Sequence, residues 1–356
     1  MKQILGISVF LITGLLLSFY IGFHLNHKEQ QMAFDDDQSG IQKQIVIKFS
    51  HVVAENTPKG LAAQKFADLV EQKSDHRVKV EVFPNGSLYT DKEELDALKS
   101  GKVQMIAPAT SKLGGVSSKW QVLDLPFAFP TESAINEGLN GDIGKSLLAS
   151  LEQQNIKGLG FWVNGLKQIT NKDHAIIKPN DFKDEKFRIM SSVVLKKQFE
   201  LLDGQSKPID FNETYRNLES GNVTGEENTI SNIYSKKYYR VQDYMTISNH
   251  GFLGYAILMN EDYWHSLPLK VRVLIQNSIN ETVQWNQDHY RTMNKEQLRL
   301  IKKESNIQIH ELTPYEKQKW IEKLNPMYKQ YEPIAGRKLI SDIRHLQRKY
   351  ERQSFR

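Results

Sequence analysis

The spacing of apolar residues switches repeatedly between that of a strand and that of a helix along this chain. Residues 44–50 are mostly apolar and β-branched, as expected of a buried strand. Thr57 and Pro58 then suit the N-cap and the first position of a helix. Residues 78–82 alternate between valine and charged side chains, which predicts a half-buried strand, and residues 103–107 predict another. Strands that alternate with helices indicate an α/β fold with a largely parallel sheet.

One pattern in the second part of the chain is much longer than the others. Residues 269–304 carry apolar side chains at helical spacing with no proline, which predicts a single long helix. Before it, residues 158–163 and 252–259 predict two buried strands. Asn164 and Gly165 follow the first of these strands. We interpret them as the place where the chain first crosses between two domains.

The N-terminal segment has the composition of a membrane helix. Residues 4–23 contain no charged side chain and are about 20 residues long, enough to span a bilayer. A cleaved signal peptide needs small residues just before its cleavage site, and residues 24–31 offer no such pair. We therefore expect residues 1–24 to be an uncleaved anchor and residues 25–43 a polar tether, with the folded part outside the cytoplasm. Cleavage would instead release a periplasmic or secreted protein, and retention on membranes after a high-salt wash distinguishes the two outcomes.

Composition excludes several kinds of chemistry. The chain has 356 residues and no cysteine, which excludes disulfide bonds, thiol catalysis and lipid attachment through cysteine. Its 47 basic and 42 acidic residues give a mixed surface with no face suited to nucleic acid, and we interpret residues 341–356 as a solvated basic tail. The spacings typical of a zinc site, a P-loop or a serine-hydrolase elbow are not found in the sequence. We therefore expect neither a metal nor a cofactor.

Arg188 stands inside a short apolar stretch that predicts a strand. Burying an unpaired guanidinium is costly, whereas its planar fork can bind a carboxylate at two points. The residues alone leave two interpretations open. In one, Arg188 binds the carboxylate of a ligand. In the other, it lies on a wet face of the strand and pairs with Asp184 or Glu185.

Two further candidates lie just beyond predicted strands. His51 follows the first strand, in a loop that leads into a helix whose free backbone N–H groups suit an anion. Thr110 follows the strand predicted over residues 103–107. Ligands of open α/β sheets bind at the carboxyl ends of strands. We therefore expect both residues to contact a ligand, and Lys112 to make a weaker contact. The alternative for His51 is a loop histidine whose hydrogen bonds are made within the protein.

Four short motifs occur in a characteristic order around Arg188. They are HVVAENTPKG at 51–60, FPNGSLY at 83–89, LDLPFAF at 123–129 and GEEN at 225–228. From about residue 44 to about residue 340, the chain resembles the DctP-type substrate-binding proteins of tripartite ATP-independent periplasmic (TRAP) transporters, and in particular their C4-dicarboxylate-binding members. One departure is visible, since Thr224 precedes the last motif where the family usually has aspartate.

The resemblance implies a fold and a division into lobes. The fold is α/β with two lobes, like periplasmic binding proteins of type II, with a hinge and one long helix that spans both lobes. Lobe I would comprise residues 44–165 and about 251–285. Lobe II would comprise residues 166–250 and about 286–340.

The resemblance also implies a binding site. In this family an arginine at the position of Arg188 holds the substrate carboxylate, and the asparagine of a G-x-E-N turn, here Asn228, helps it. The resemblance also places a cleft residue near Lys167, which is a second cation in some relatives; the alternative is an exposed lysine on a strand edge. We interpret Glu227 as a residue that orients Arg188 or caps a helix.

The expected function is the capture of a small C4-dicarboxylate between the two lobes for TRAP-type uptake, with the TRAP membrane subunits as partners. Two alternatives stay open. The protein could be a sensory co-receptor that presents its ligand-bound form to a membrane histidine kinase. It could also be an enzyme that acts on a small carboxylic acid, which would need a nucleophile or general base in the cleft.

Overall fold

The computed structural model describes residues 44–354, with side chains up to residue 351. The predicted anchor and tether, and the end of the basic tail, therefore lie outside the described residues. Among the residues that are described, no helix is both long enough and apolar enough to cross a membrane. From Ile45 onward the chain forms one compact unit, so the boundaries between the two lobes stay a prediction.

A single mixed sheet runs through the described part of the chain, in the order β2-β1-β3-β8-β4-β7-β5-β6, with β9 also paired to β8. Its strands are β1 (Ile45–Ser50), β2 (Val78–Phe83), β3 (Met105–Ile106), β4 (Ile156–Asn171), β5 (Lys186–Ile189), β6 (Gln205–Pro208), β7 (Gly225–Thr229), β8 (Tyr244–Asn260) and β9 (Gln308–Glu311).

Helices cover both faces and the end of the described chain. They are α1 (Pro58–Lys73), α2 (Glu94–Lys99), α3 (Glu132–Asn140), α4 (Asp142–Ala149), α5 (Val193–Leu201), α6 (Thr214–Glu219), α7 (Ile230–Ser235), α8 (Glu261–Ser266), α9 (Leu269–Glu304), α10 (Pro314–Leu324), α11 (Pro326–Ala335) and α12 (Arg337–Ser354). The long helix α9 was predicted over the same residues, and that prediction is confirmed.

Two long antiparallel strands, β4 and β8, join the two sides of the sheet. The start of β4 and the end of β8 lie beside β3, β1 and β2, which we call the β2 side. The end of β4 lies beside β7, β5 and β6, which we call the β6 side. The predicted parallel pairing holds for β1 with β2 and β3, and for β5 with β6 and β7. The pairs β3–β8, β4–β8 and β4–β7 are antiparallel.

Both central strands are longer than the sequence predicts. The strand predicted over residues 158–163 continues to Asn171, and the one over residues 252–259 begins at Tyr244. The prediction stopped at Asn164 and Gly165 because that pair resembles a turn. In the structure it is a register shift within the ladder, a β-bulge of the kind that bends a strand without ending it.

The GEEN motif was predicted as a turn, and that prediction is wrong. Its residues lie in β7, between β4 and β5, and all five residues of β7 are buried. Thr224, just before the strand, donates a hydrogen bond from its hydroxyl to Glu185. Thr224 thus makes a side-chain hydrogen bond at the position where aspartate is usual in the resembling family.

Helix α9 contacts elements from both sides of the sheet. Near its middle, Glu281 pairs with Lys73 of α1. Further along, Asn294 accepts a hydrogen bond from the backbone N–H of Ser231 in α7, and Glu304 accepts one from Tyr239. The predicted helix that spans both sides is therefore present.

The entry into α1 leaves no room for a side chain at Gly60. Thr57 caps the helix by accepting a hydrogen bond from the Gly60 N–H at 3.1 Å. A Cβ atom on Gly60 would lie 2.3 Å from the carbonyl oxygen of Ala54, a backbone atom. Only glycine fits this approach without a shift of the loop.

We expect Gly60→Ala to lower the free energy of unfolding by about 1–3 kcal/mol, the usual cost of overpacking. Urea unfolding followed by circular dichroism measures this. Gly115→Ala is the matched control, because no atom lies within 4 Å of a Cβ at that position, and it should change stability by less than about 0.5 kcal/mol. Equal unfolding midpoints for Gly60→Ala and the wild type would contradict the prediction.

Candidate functional site

Arg188 lies on β5 with its side chain almost completely buried, at 1% exposure. Its Nε donates a hydrogen bond to the carbonyl oxygen of Ile209 at 2.9 Å. Glu185, the expected partner on a wet face, instead accepts a hydrogen bond from Thr224. The interpretation of Arg188 as a solvated surface residue is therefore wrong.

Glu226 is the carboxylate beside Arg188. The two residues are register partners in the parallel pairing of β5 and β7, and Glu226 is fully buried. Burial raises the pKa of Glu226 to about 7, although the positive charge of Arg188 opposes this. The sequence interpretation named Glu227 as the residue that orients Arg188 or caps a helix, but Glu227 is paired with Lys167 and His250.

Asn228 is fixed so that it can only donate to a ligand. Its Oδ1 accepts hydrogen bonds from the Thr229 N–H and from Asn232, at 3.1 and 2.8 Å. Its Nδ2 donates to Glu226 at 3.1 Å. The two lone pairs of the amide oxygen are thus used and one N–H stays available.

Arg188 and Asn228 both line a partly enclosed cavity between the two sides of the sheet. Its polar wall is formed by Asp91, Lys112 and Tyr255 from the β2 side and by Arg188, Asn228 and Asn232 from the β6 side. A larger and more open groove lies beside α9, but its Arg291 is already paired with Glu132 at 2.8 Å. We place the candidate site at the partly enclosed cavity, because there the buried cation faces the cavity.

A second buried cation, Lys59, lies behind the β2 side of the cavity. Its Nζ donates to the carbonyl oxygen of Ala107 at 2.8 Å and lies 3.8 Å from the centre of the Tyr255 ring. Burial lowers the pKa of Lys59 to about 8, against the effect of nearby Glu94. Burial likewise raises the pKa of Glu94 to about 8.

Sequence reasoning missed several of these groups. Lys59 follows a proline at a helix start, where a lysine normally lies in solvent, and only its place in the TPKG motif distinguishes it. Asp91 gave no signal in the sequence; it forms an ion pair of 2.7 Å at the cavity wall with Lys112, which was expected as a weaker contact than Thr110. Tyr255 lies inside a wholly apolar strand pattern and gave no signal of its own.

His51 and Thr110 are each one residue away from the cavity wall. Their neighbours Val52 and Ala109 line it, while both candidates are buried, and the hydroxyl of Thr110 has no hydrogen-bond partner among the described residues. Burial and the nearby charge of Lys59 lower the pKa of His51 to about 3, so its ring is neutral at pH 7. Direct ligand contact by either residue stays a prediction.

The structure does not bring Lys167 to the cavity wall. Its Nζ is 2.7 Å from Oε1 of Glu227, and the other oxygen of Glu227 is 3.0 Å from Nε2 of His250. Burial alone would raise the pKa of Glu227, but Lys167 and His250 hold it at about 2. Lys167 is thus engaged in a fully buried ion pair, and its role in binding stays a prediction.

Metal ligation has no geometric support in the described part of the chain. Within residues 44–354, no group of three or more histidine, aspartate or glutamate side chains is arranged to hold a metal ion. The chemistry that the cavity offers is the binding of an anion by a guanidinium, an amide and an ammonium group.

Comparison with known proteins identifies the family. Residues 49–333 match DctP, the bacterial extracellular solute-binding protein family 7. The chain belongs to this family. It is 52% identical to the C4-dicarboxylate-binding protein DctB of Bacillus subtilis, over 98% of this chain and 99% of that protein. It is 40% identical to the C4-dicarboxylate-binding periplasmic protein DctP of Rhodobacter capsulatus, over 84% and 90%.

Solved structures of family members confirm the two-lobe α/β fold. A TRAP periplasmic solute-binding protein from Shewanella oneidensis, with bound succinate, is 38% identical with a TM-score of 0.83, over 85% of this chain and 99% of that one. Another from Pseudomonas aeruginosa, with bound L-malate, is 34% identical with a TM-score of 0.79, over 81% and 100%.

We expect Lys167→Ala to destabilise the fold, because it leaves Glu227 buried without its cation. Breaking such a pair costs about 3–5 kcal/mol, which chemical unfolding would measure. Lys172→Ala is the control, since its pair with Asp243 is exposed and should contribute less than about 1 kcal/mol. A Lys167→Ala protein of wild-type stability that binds ligand poorly would contradict the structural role.

Proposed function

We propose that this chain captures a small C4-dicarboxylate outside the cytoplasm and delivers it to the membrane subunits of a TRAP transporter. The observation that carries the proposal is the partly enclosed cavity with the buried Arg188 and Asn228 on one side and Lys112, backed by Lys59, on the other. A ligand with two anionic ends needs donors on opposite walls, and this cavity offers them. Relatives named for C4-dicarboxylate binding support the same class of ligand.

The guanidinium of Arg188 is the group we assign to the first carboxylate, with the free N–H of Asn228 as its second donor. The other carboxylate would lie towards Lys112, whose charge is shared with Asp91. Lys59 adds positive potential from behind Tyr255. These opposed donors favour a short diacid over a monoacid, which could satisfy only one wall.

Two contacts between the sides of the sheet support capture by closure. Lys92 of the β2 side pairs with Asp210 of the β6 side at 3.1 Å, and Asn212 donates to the carbonyl oxygen of Asn85 at 3.2 Å. Such contacts exist only when the two sides are closed. A ligand held by both walls would add to them and shift the population towards the closed form.

We favour a binding role over an enzymatic one. Asp91 is the carboxylate on the cavity wall, and its partner Lys112 holds it in an ion pair. His51 is buried with its pKa lowered to about 3, and it lies one residue away from the cavity wall. An enzyme of this shape would need a better placed base than these.

Relatives that are named as periplasmic support a place of action outside the cytoplasm. We propose that this chain also works outside the cytoplasm, held by the anchor expected over residues 1–24. The sensory alternative shares the same site and the same closure. Co-purification with TRAP membrane subunits supports delivery, whereas co-purification with a histidine kinase supports sensing.

Calorimetric titration with succinate tests the proposal. The wild type should bind, and both Arg188→Ala and Arg188→Lys should lose about 2–5 kcal/mol of binding free energy, roughly 30-fold to several thousand-fold in affinity. Arg188→Lys should lose affinity because lysine lacks the planar guanidinium that binds a carboxylate at two points.

Two controls make this result interpretable. Arg216→Ala removes an exposed arginine of the β6 side and should bind as the wild type does. Circular dichroism should show that the Arg188 variants stay folded, because the Glu226 carboxylate left behind can take up a proton. Normal binding by Arg188→Ala would contradict the proposed site, and unfolding would make Arg188 a structural residue.

A further inference from the structure

Glu226 is coupled to both groups that we assign to the ligand carboxylate. It is the register partner of Arg188 across β5 and β7. Its Oε2 accepts a hydrogen bond from Asn228 at 3.1 Å, and its Oε1 accepts one from the hydroxyl of Thr170, also at 3.1 Å. One fully buried carboxyl group therefore helps to hold the amide and lies close enough to Arg188 to be influenced by its charge.

The charge of Glu226 acts against capture of an anion. When ionised, it offsets the positive potential of Arg188 and repels an incoming carboxylate. When protonated, it does neither, and its oxygens can still accept the bonds from Asn228 and Thr170. The protonation state thus changes the electrostatics of the site while its geometry is kept.

We propose that Glu226 is a positioning residue that couples ligand capture to protonation. As a ligand carboxylate reaches Arg188, the carboxylate of Glu226 takes up one proton from solvent, and the neutral acid continues to hold Asn228. No bond other than this O–H bond forms or breaks. The inference rests on the proposed function, because it requires an anion at Arg188.

The groups that face Glu226 come from several elements. Arg188 on β5 favours its ionised form, and Glu227 on β7 disfavours it. Tyr238, in the short helix Tyr238–Arg240, is close enough to interact, but burial raises its pKa far above neutrality and keeps it uncharged. Glu227 stays ionised because Lys167 and His250 hold its pKa at about 2. The charges around Glu226 are therefore constant near pH 7, where Glu226 itself titrates.

The size of the effect follows from linkage. With a pKa of about 7 in the free protein, Glu226 is about 90% protonated at pH 6 and about 10% protonated at pH 8. An anion beside it raises the pKa further, since like charges disfavour ionisation. If only the neutral form binds well, the affinity increases about tenfold from pH 8 to pH 6. Ligand binding is therefore expected to become tighter as the pH is lowered.

The test is calorimetric titration with fumarate, whose two carboxyl groups stay ionised over this pH range. The wild type is compared with Glu226→Gln at pH 6, 7 and 8. The amide of glutamine can accept from Asn228 and donate to Thr170, so it keeps the contacts but does not titrate. Titrations at pH 7 in two buffers of different ionisation enthalpy count the protons taken up per ligand.

We expect the wild type to gain about tenfold more affinity between pH 8 and pH 6 than Glu226→Gln does, and to take up about half a proton more at pH 7. Glu185→Gln is the matched control, because it removes another carboxylate of the β6 side that bonds to Thr224 and not to Asn228. Its pH profile should follow the wild type.

Equal pH profiles and equal proton uptake for the wild type and Glu226→Gln would overturn the inference and leave the proposed function standing. An affinity that is lower in Glu226→Gln by the same factor at each pH would do so too, since it indicates a purely structural role. Absence of fumarate and succinate binding by the folded wild type at all three pH values would instead overturn the proposed function itself.

Discussion

A buried cation must be balanced inside the protein, because taking an unpaired charge out of water costs several kcal/mol. Three buried cations among the described residues each have a glutamate nearby, but the charge of that glutamate differs between them. Lys167 has a direct ion pair with Glu227, whose pKa is lowered to about 2. Arg188 and Lys59 have Glu226 and Glu94 nearby, whose pKa values burial raises to about 7 and 8.

This difference distinguishes a structural ion pair from two cations whose charge is available to a ligand. The pair of Lys167 and Glu227 is complete without a ligand and ties β4 to β7. The glutamates near Arg188 and Lys59 can become neutral, so these cations keep positive potential that an anion can use. Two opposed walls with such potential, joined by the continuous strands β4 and β8 and braced by α9, fit a protein that closes on a short diacid.

The sequence was sufficient for the features that have a strong local pattern. Helix α9 carries 36 residues of uninterrupted helical spacing, and Arg188 was recognisable as a cation inside an apolar strand. The GEEN strand was mistaken for a turn because all its side chains are polar although all are buried. Its carboxylates and amide are stable there only through partners such as Arg188 and Lys167, which come from distant parts of the chain. Pairings of that kind, including Asp91 with Lys112, cannot be seen in the spacing of one sequence. The family motifs led to the candidate site, but only the fold shows that Glu226 is the register partner of Arg188 and that Lys167 is paired with Glu227.

A crystal structure with bound succinate tests the central claim most directly. We predict one ligand carboxylate within about 2.7–3.2 Å of the guanidinium nitrogens of Arg188 and of Nδ2 of Asn228, with Lys167 still paired to Glu227. Succinate bound in the open groove beside α9, or in the cavity without contact to Arg188, would contradict the account.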